Sequence, residues 1–190
     1  MGGDEAPSVG INGALEAQSI LPDDIQITLV GDEKTIQNHL DGELPQNLSI
    51  CHAPDIISVD DRASRIIKSK PESSIVKGLN LVKNGEADAF ISAGSTGAVM
   101  ATALLLLGRI EGVRRPALGA YIPTNLGGKI LCDVGANPEV KPYHLLQFAV
   151  MASYHLEHIE GCKNPKIGLV NIGEEPTKGN ELYKETYKLL

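Results

Sequence analysis

At 190 residues with 42% hydrophobic and 22% charged side chains, the chain is long enough to bury a core without disulfide or metal staples. Three cysteines (Cys51, Cys132, Cys162) with no CxxC spacing argue against a secreted disulfide framework, and 4% aromatics without Trp argue against a stacking platform for single-stranded nucleic acid. The net charge of −7 opposes general nucleic-acid binding.

The pattern alternates strand and helix. Met1-Gly2-Gly3-Asp4 reads as a glycine-rich turn, and Ala6-Pro7 opens a helix, with Pro suited to a first turn. Residues 25–30 and 48–53 read as strands. Residues 73–83 read as a helix with Ile75, Val76, Leu79 and Val82 at helical spacing, closed by Asn84-Gly85. Residues 88–92 predict a short strand and 98–109 a buried helix; 118–122 and 129–134 predict two strands. A long helix over 142–160, a strand over 166–172 and a helix over 180–190 complete the series. Strands separated by helical stretches imply βαβ units and a largely parallel sheet covered on both faces. One α/β domain over 1–190 is expected. A turn with no preceding strand and a chain that stops inside a helix lead us to expect a fold incomplete at both ends.

Charge is unevenly spread. Residues 1–61 hold twelve acidic side chains and one base, Lys34, whereas 62–83 hold Arg62, Arg65, Lys68, Lys70, Lys77 and Lys83 against Glu72 alone. That basic stretch is either a solvated helix face or the contact for an anionic partner. No basic, apolar leader opens the chain, and the longest apolar run, 98–107, falls well short of the about 20 residues a membrane-spanning helix needs. A cytoplasmic location with reduced thiols is expected.

Glycine, at 20 residues, exceeds its ordinary share of about 7%. Three predicted strands run into glycine-containing polar loops: Ala93-Gly94-Ser95-Thr96-Gly97, Asp133-Val134-Gly135-Ala136-Asn137, and Asn171-Ile172-Gly173-Glu174-Glu175 with Lys178-Gly179-Asn180. In open α/β sheets, ligands bind beyond the carboxyl ends of strands. Gly94 and Gly97 would let backbone N–H groups approach an anion, helped by the positive end of the following helix, with Ser95 and Thr96 as hydroxyl donors. The alternative is that Ser95 or Thr96 merely caps that helix. Asp133 is either a turn former or a hydrogen-bonding anchor, and Glu174, Glu175, Lys178 and Asn180 form either a functional loop or a solvated one. Neither GxxxxGK[ST], GxGxxG nor GxSxG occurs. His155 and His158 read as a solvated helix face rather than a metal pair, and Cys132 as a small core residue rather than a nucleophile.

These motifs, together with Met1-Gly2-Gly3-Asp4-Glu5-Ala6-Pro7, Arg115-Pro116-Ala117-Leu118 and Gln147-Phe148-Ala149, occur in an order that strongly resembles the bacterial phosphate acyltransferase (PlsX) family of fatty acid and phospholipid synthesis. The resemblance spans all 190 residues and covers the N-terminal part of that family's chain. It implies a three-layer α/β/α fold with a largely parallel sheet, similar to phosphotransacetylases and to isocitrate and isopropylmalate dehydrogenases. It also implies transfer of an acyl group from acyl carrier protein to inorganic phosphate, homodimers, peripheral association with the inner face of the membrane, and no metal or organic cofactor.

From the chemistry of the implied reaction we expect that Gly94, Ser95, Thr96 and Gly97, with Lys178 and Asn180, hold phosphate, and that Arg115 supplies a further donor. Asp133, Asn137, Glu174 and Asp4 would position the loops and acyl group, with Gly2 and Gly3 beside the substrate. Two departures stand out. Ser95 replaces the usual Asn, and Lys70 is followed by Pro71 where the family tends to pair lysines, so Lys70 alone is carried over as an anion contact. The acidic carrier would give the 62–83 stretch its partner. Competing expectations are a phosphotransacetylase-like enzyme using acyl-CoA, a non-catalytic anion- or carrier-binding module, and a dehydrogenase of similar fold, which no dinucleotide motif supports.

Overall fold

The computed structural model describes residues 5–40, 42–58, 60–125 and 127–190, so the expectations for Gly2, Gly3 and Asp4 lie outside the described residues. Contacts divide the chain into two compact units, Met1–Gly108 and Arg109–Leu190.

The first unit opens with α1 (Ser8–Ile20), entered through Pro7 and burying Ile11. Strand β1 (Ile27–Gly31) pairs in parallel with β2 (Leu48–His52), in the register Ile27↔Leu48 to Gly31↔His52. Between them lies α2 (Glu33–Gln37), which the sequence reading missed. Its N-cap is Asp32, whose Oδ1 accepts from the Thr35 N–H at 2.9 Å, a cap signal present in the Asp-Glu-Lys-Thr run. A 3₁₀ turn, Ala63–Arg65, leads into α3 (Ile66–Ser69), also unforeseen.

Helix α4 (Ser74–Lys83) buries Ile75, Val76, Gly78 and Leu79 on one stripe, as expected from their spacing. Asn84 ends it, and Gly85 follows with φ +73°. With Ile66 and Ala98, the first residue α5 (Thr96–Leu106) buries, these apolar side chains form the core cluster of the unit. Phe90 packs against that cluster, so close to α4 that a Cβ on Gly78 would lie 2.3 Å from its ring.

In the second unit, β3 (Gly119–Ile122) and β4 (Lys129–Cys132) pair antiparallel. This corrects the expectation of a parallel arrangement here: the 123–128 connection is long enough for a hairpin, whereas a parallel crossover needs about a dozen residues or more. Helix α6 (Pro142–His158) packs against β4 and against α7 (Glu181–Leu189), burying Phe148 and His144, while α7 buries Thr186.

Two predicted strands do not form. Residues 88–92 and 166–172 have no ladder partner among the described residues. Apolar, β-branched composition makes a strand only where another strand can take up its N–H and C=O groups. Ile91 is 94% exposed and Ile172 86%. The architecture is thus mixed α/β, with one parallel strand pair and one hairpin among the described residues. No helix of the described residues is long and apolar enough to cross a membrane.

Candidate functional site

In the first unit, the 94–97 loop is the entrance to α5. Ser95 is the N-cap: its Oγ accepts from the Ala98 N–H at 3.4 Å, and the Gly94 N–H donates to Ser92 Oγ at 3.1 Å. Thr96 and Gly97 occupy the first helical positions and are exposed, where a helix leaves its amides without intrahelical acceptors. Nothing lies within 4 Å of where a Cβ on Gly97 would stand, so the packing of the unit does not require glycine there. The capping alternative for Ser95 is the one observed. Its hydroxyl caps the helix, and the amides that follow open to solvent, as an oxyanion would need.

Lys70 ends α3, half-buried, with its carbonyl accepting from the Ser73 N–H at 3.1 Å. Its charge also acts on Asp61, although the Ser58 N–H does most to hold that carboxyl below the ordinary range. Lys77 is committed elsewhere: Nζ meets Glu72 Oε2 at 2.7 Å and donates to the His52 carbonyl at 2.7 Å. Arg62, Arg65, Lys68 and Lys83 are exposed, so the basic stretch divides into one structural lysine and a set of solvent-facing cations.

In the second unit, Asp133 sits just beyond β4 and gathers the surrounding loop. Its Oδ1 accepts from the N–H groups of Leu118 (2.8 Å) and Ala136 (3.3 Å), and its Oδ2 from the Asn137 N–H (2.8 Å) and Nδ2 (3.0 Å). Asn137 Nδ2 also donates to the Pro116 carbonyl at 2.8 Å. Partial burial alone would raise the Asp133 pKa. The donors from Leu118, Asn137 and Ala136 outweigh it and hold the carboxyl below the usual range. Both oxygens are spent on the loop, which makes Asp133 an anchor. Cys132 is half-buried; burial first, and then the Asp133 charge, push its thiol pKa up, which keeps it a poor nucleophile.

The 171–180 loop closes on itself. Asn171 Nδ2 donates to the Lys178 carbonyl at 3.1 Å, its Oδ1 accepts from the Ile172 N–H at 2.9 Å, and the Lys178 N–H reaches the Glu175 carbonyl at 2.9 Å. Gly179 is required here, because φ is +81° and a Cβ would lie 2.5 Å from Asn171 Oδ1. Asn180 caps α7, with Oδ1 accepting from the Tyr183 N–H at 3.3 Å. A cavity of about 80 Å³ opens beside the loop, lined by Asn171, Glu174, Glu175, Lys178, Tyr183 and Tyr187 among others. Lys178 is exposed and makes no ion pair with a described residue. The two tyrosines, four apart on α7, escaped the sequence reading. Their signal was a helical face beginning directly at the loop.

Arg115 stands near the start of α6, where its Nη1 donates to the Glu139 carbonyl at 3.1 Å. Several residues that sequence reasoning missed lie with it. The Arg114 N–H donates to Gln147 Oε1 at 3.0 Å, Gln147 Nε2 to the Gly112 carbonyl at 2.7 Å, and the Arg114 guanidinium lies 4.6 Å from the Tyr143 ring centroid. The Lys141 N–H donates to His144 Nδ1 at 3.1 Å. Burial, and then the charges of Arg115, Arg114 and Lys141, hold the His144 pKa below its usual value. The Lys-Pro-x-His spacing at a helix start was the legible signal.

The structure therefore brings Asp133 with Asn137, and Lys178 with Glu174 and Asn180, into two local networks of one unit, while Gly94, Ser95, Thr96, Gly97 and Lys70 belong to the other. His155 and His158 lie on an exposed stretch of α6, His158 stacked on Tyr154 with ring centroids 3.8 Å apart. Among the described residues no three His, Cys, Asp or Glu side chains are grouped to hold a metal ion.

Comparison with known proteins adds a chain-long likeness. A family model described as fatty acid synthesis protein matches residues 1–190. The chain is 52% identical over 191 residues to the phosphate acyltransferase of Desulfitobacterium hafniense, and 50% identical over 191 residues to that of Desulforamulus reducens. To the phosphate acyltransferase of Exiguobacterium sibiricum it is 47% identical over 192 residues. Each match covers 100% of this chain and 57% of the relative, so the chain spans little more than half the length of these relatives.

Proposed function

The chain belongs to the fatty acid synthesis protein family, and from that premise we propose that it forms part of a phosphate acyltransferase, which moves a fatty acyl group from acyl carrier protein to inorganic phosphate. The observation that carries this reading is the 52% identity, along the whole chain, to a protein named phosphate acyltransferase. The chemistry suits the residues. Phosphate is itself a nucleophile near neutral pH, so no serine or cysteine intermediate and no cofactor is called for. One phosphate oxygen bonds to the acyl carbon, the carbon–sulfur bond breaks, and the carrier thiolate departs. The protein has to hold a dianion against the thioester and stabilise the tetrahedral oxyanion.

Within the first unit, the exposed amides of Thr96 and Gly97, with the Thr96 hydroxyl and Lys70, serve as oxyanion donors. Within the second, Lys178, which makes no ion pair with a described residue, is a donor, Asn180 orders its loop by capping α7, and Arg115 is a further donor. Asp133, Asn137 and Glu174 are positioning residues. We extend the reading to a three-layer fold like that of phosphotransacetylases, to a homodimer, and to a cytoplasmic protein peripherally attached to the membrane. The acidic carrier docks on Arg62, Arg65, Lys68 and Lys83.

The test is acyl phosphate formation by the full-length protein, with acyl carrier protein and coenzyme A thioesters offered separately. The carrier thioester is expected to be the productive donor. Turnover with the coenzyme A thioester alone would shift the assignment to a phosphotransacetylase-like enzyme, and turnover with neither would refute acyl transfer. Lys178→Ala is expected to lower the rate at least about tenfold.

A further inference from the structure

Around the first turn of α6 the second unit concentrates positive charge without neutralising it. Arg114, Arg115 and Lys141 all bear on the buried His144, and none forms an ion pair with a described residue. All three are exposed residues, and the fold holds the two arginines in place. Gln147 clamps the 112–114 backbone with both ends of its amide, Tyr143 supports the Arg114 guanidinium, and Arg115 is held by the Glu139 carbonyl. All three charges act with the same sign on the His144 ring, an effect that an anion at that ring would offset.

His144 is an independent observation. It is only 8% exposed, and its Nδ1 is committed as an acceptor by the Lys141 N–H, which leaves the proton of the neutral ring on Nε2. No described residue accepts that Nε2–H. Arg115 uses one of its five donors on Glu139, so a planar fork remains for an oxyanion.

We infer that Arg114, Arg115, Lys141 and the Nε2–H of His144 form a binding site for a phosphate-type oxyanion. The site stands on its own geometry, and only the source of its ligand rests on the acyl-transfer reading. That reaction brings two phosphoryl groups to the protein: free inorganic phosphate and the phosphodiester of a carrier's pantetheine arm.

The experiment titrates the full-length protein separately with inorganic phosphate and with a phosphopantetheinyl-serine peptide. It follows the His144 ring resonances by NMR and affinity by calorimetry. One of the two probes is expected to shift the His144 resonances saturably, and the probe that does so identifies the source. Arg115→Gln and Lys141→Gln are each expected to weaken that binding about tenfold, and Lys163→Gln, an exposed charge control, to leave it unchanged. Arg114→Gln provides a second readout should loss of the Glu139 contact unfold the Arg115 variant.

An unmoved His144 with both probes, or folded variants that bind like the parent, overturns the site. Normal acyl phosphate formation alongside an unmoved His144 overturns the site and leaves the acyl-transfer reading standing. Saturable binding with no acyl transfer from any donor supports the site and removes that reading.

Discussion

Asp133 shows how a single side chain can organise a loop. Four N–H groups converge on its two oxygens, and hydrogen bonds to an ionised acceptor contribute about 1.5–3 kcal/mol. Asp133→Ala is therefore expected to cost about 2 kcal/mol, measured by denaturant unfolding. Because folding lowers its pKa, the contribution is present above the unfolded value of about 3.9 and is lost as pH falls through the folded value. Parent and Asp133→Ala stability curves should converge in that acid window, and parallel curves would show that the carboxylate charge is not the source. Two glycines separate function from fold. Gly179→Ala places a left-handed backbone and a 2.5 Å contact on a residue with a Cβ, at a cost of about 1–2 kcal/mol or more. Gly97→Ala meets no neighbour, so stability should stay within about 1 kcal/mol of the parent, whereas phosphate affinity should drop if the amide edge of α5 is a contact surface.

At the scale of elements, α4 couples local pattern to packing. Its buried stripe was legible in the spacing of Ile75, Val76 and Leu79, because an amphipathic helix repeats its apolar positions every three to four residues. What the spacing concealed is Gly78, which admits the Phe90 ring. Gly78→Ala should destabilise the first unit by about 1–3 kcal/mol, despite the better helix propensity of alanine. Ser73, at 0% exposure, has a hydroxyl with no hydrogen-bond partner among the described residues. Ser73→Ala should consequently be neutral or stabilising by up to about 1 kcal/mol in thermal unfolding; a clear loss would reveal a partner for that hydroxyl. Helices were read correctly within a few residues at α4, α5, α6 and α7 because their hydrogen bonds are internal. Strand readings succeeded for β1 to β4 but failed at 88–92 and 166–172, since a strand depends on a neighbour distant in sequence.

For the molecule as a whole, the missing ladders have a measurable consequence. Amides of 88–92 and 166–172 should exchange rapidly in the 190-residue chain while those of β1 and β2 are protected, since only the latter are paired. The acidic first third and the exposed cations that follow it predict that carrier affinity falls as salt rises from about 0.05 to 0.3 M; a salt-insensitive affinity would move docking away from this stretch. The sequence by itself determined the helices α4 to α7, the positions of β1 to β4, the glycine loops and the order of motifs that marks the family, because each is written in local spacing and residue type. Tertiary structure alone decided that Asp133 takes the Leu118 N–H, that Lys77 reaches the His52 carbonyl, and that Arg115 is held by the Glu139 carbonyl. It alone brought the charges of Arg114 and Arg115 to bear on His144. These depend on which distant donors and acceptors meet once the chain is packed, and no local pattern encodes that meeting.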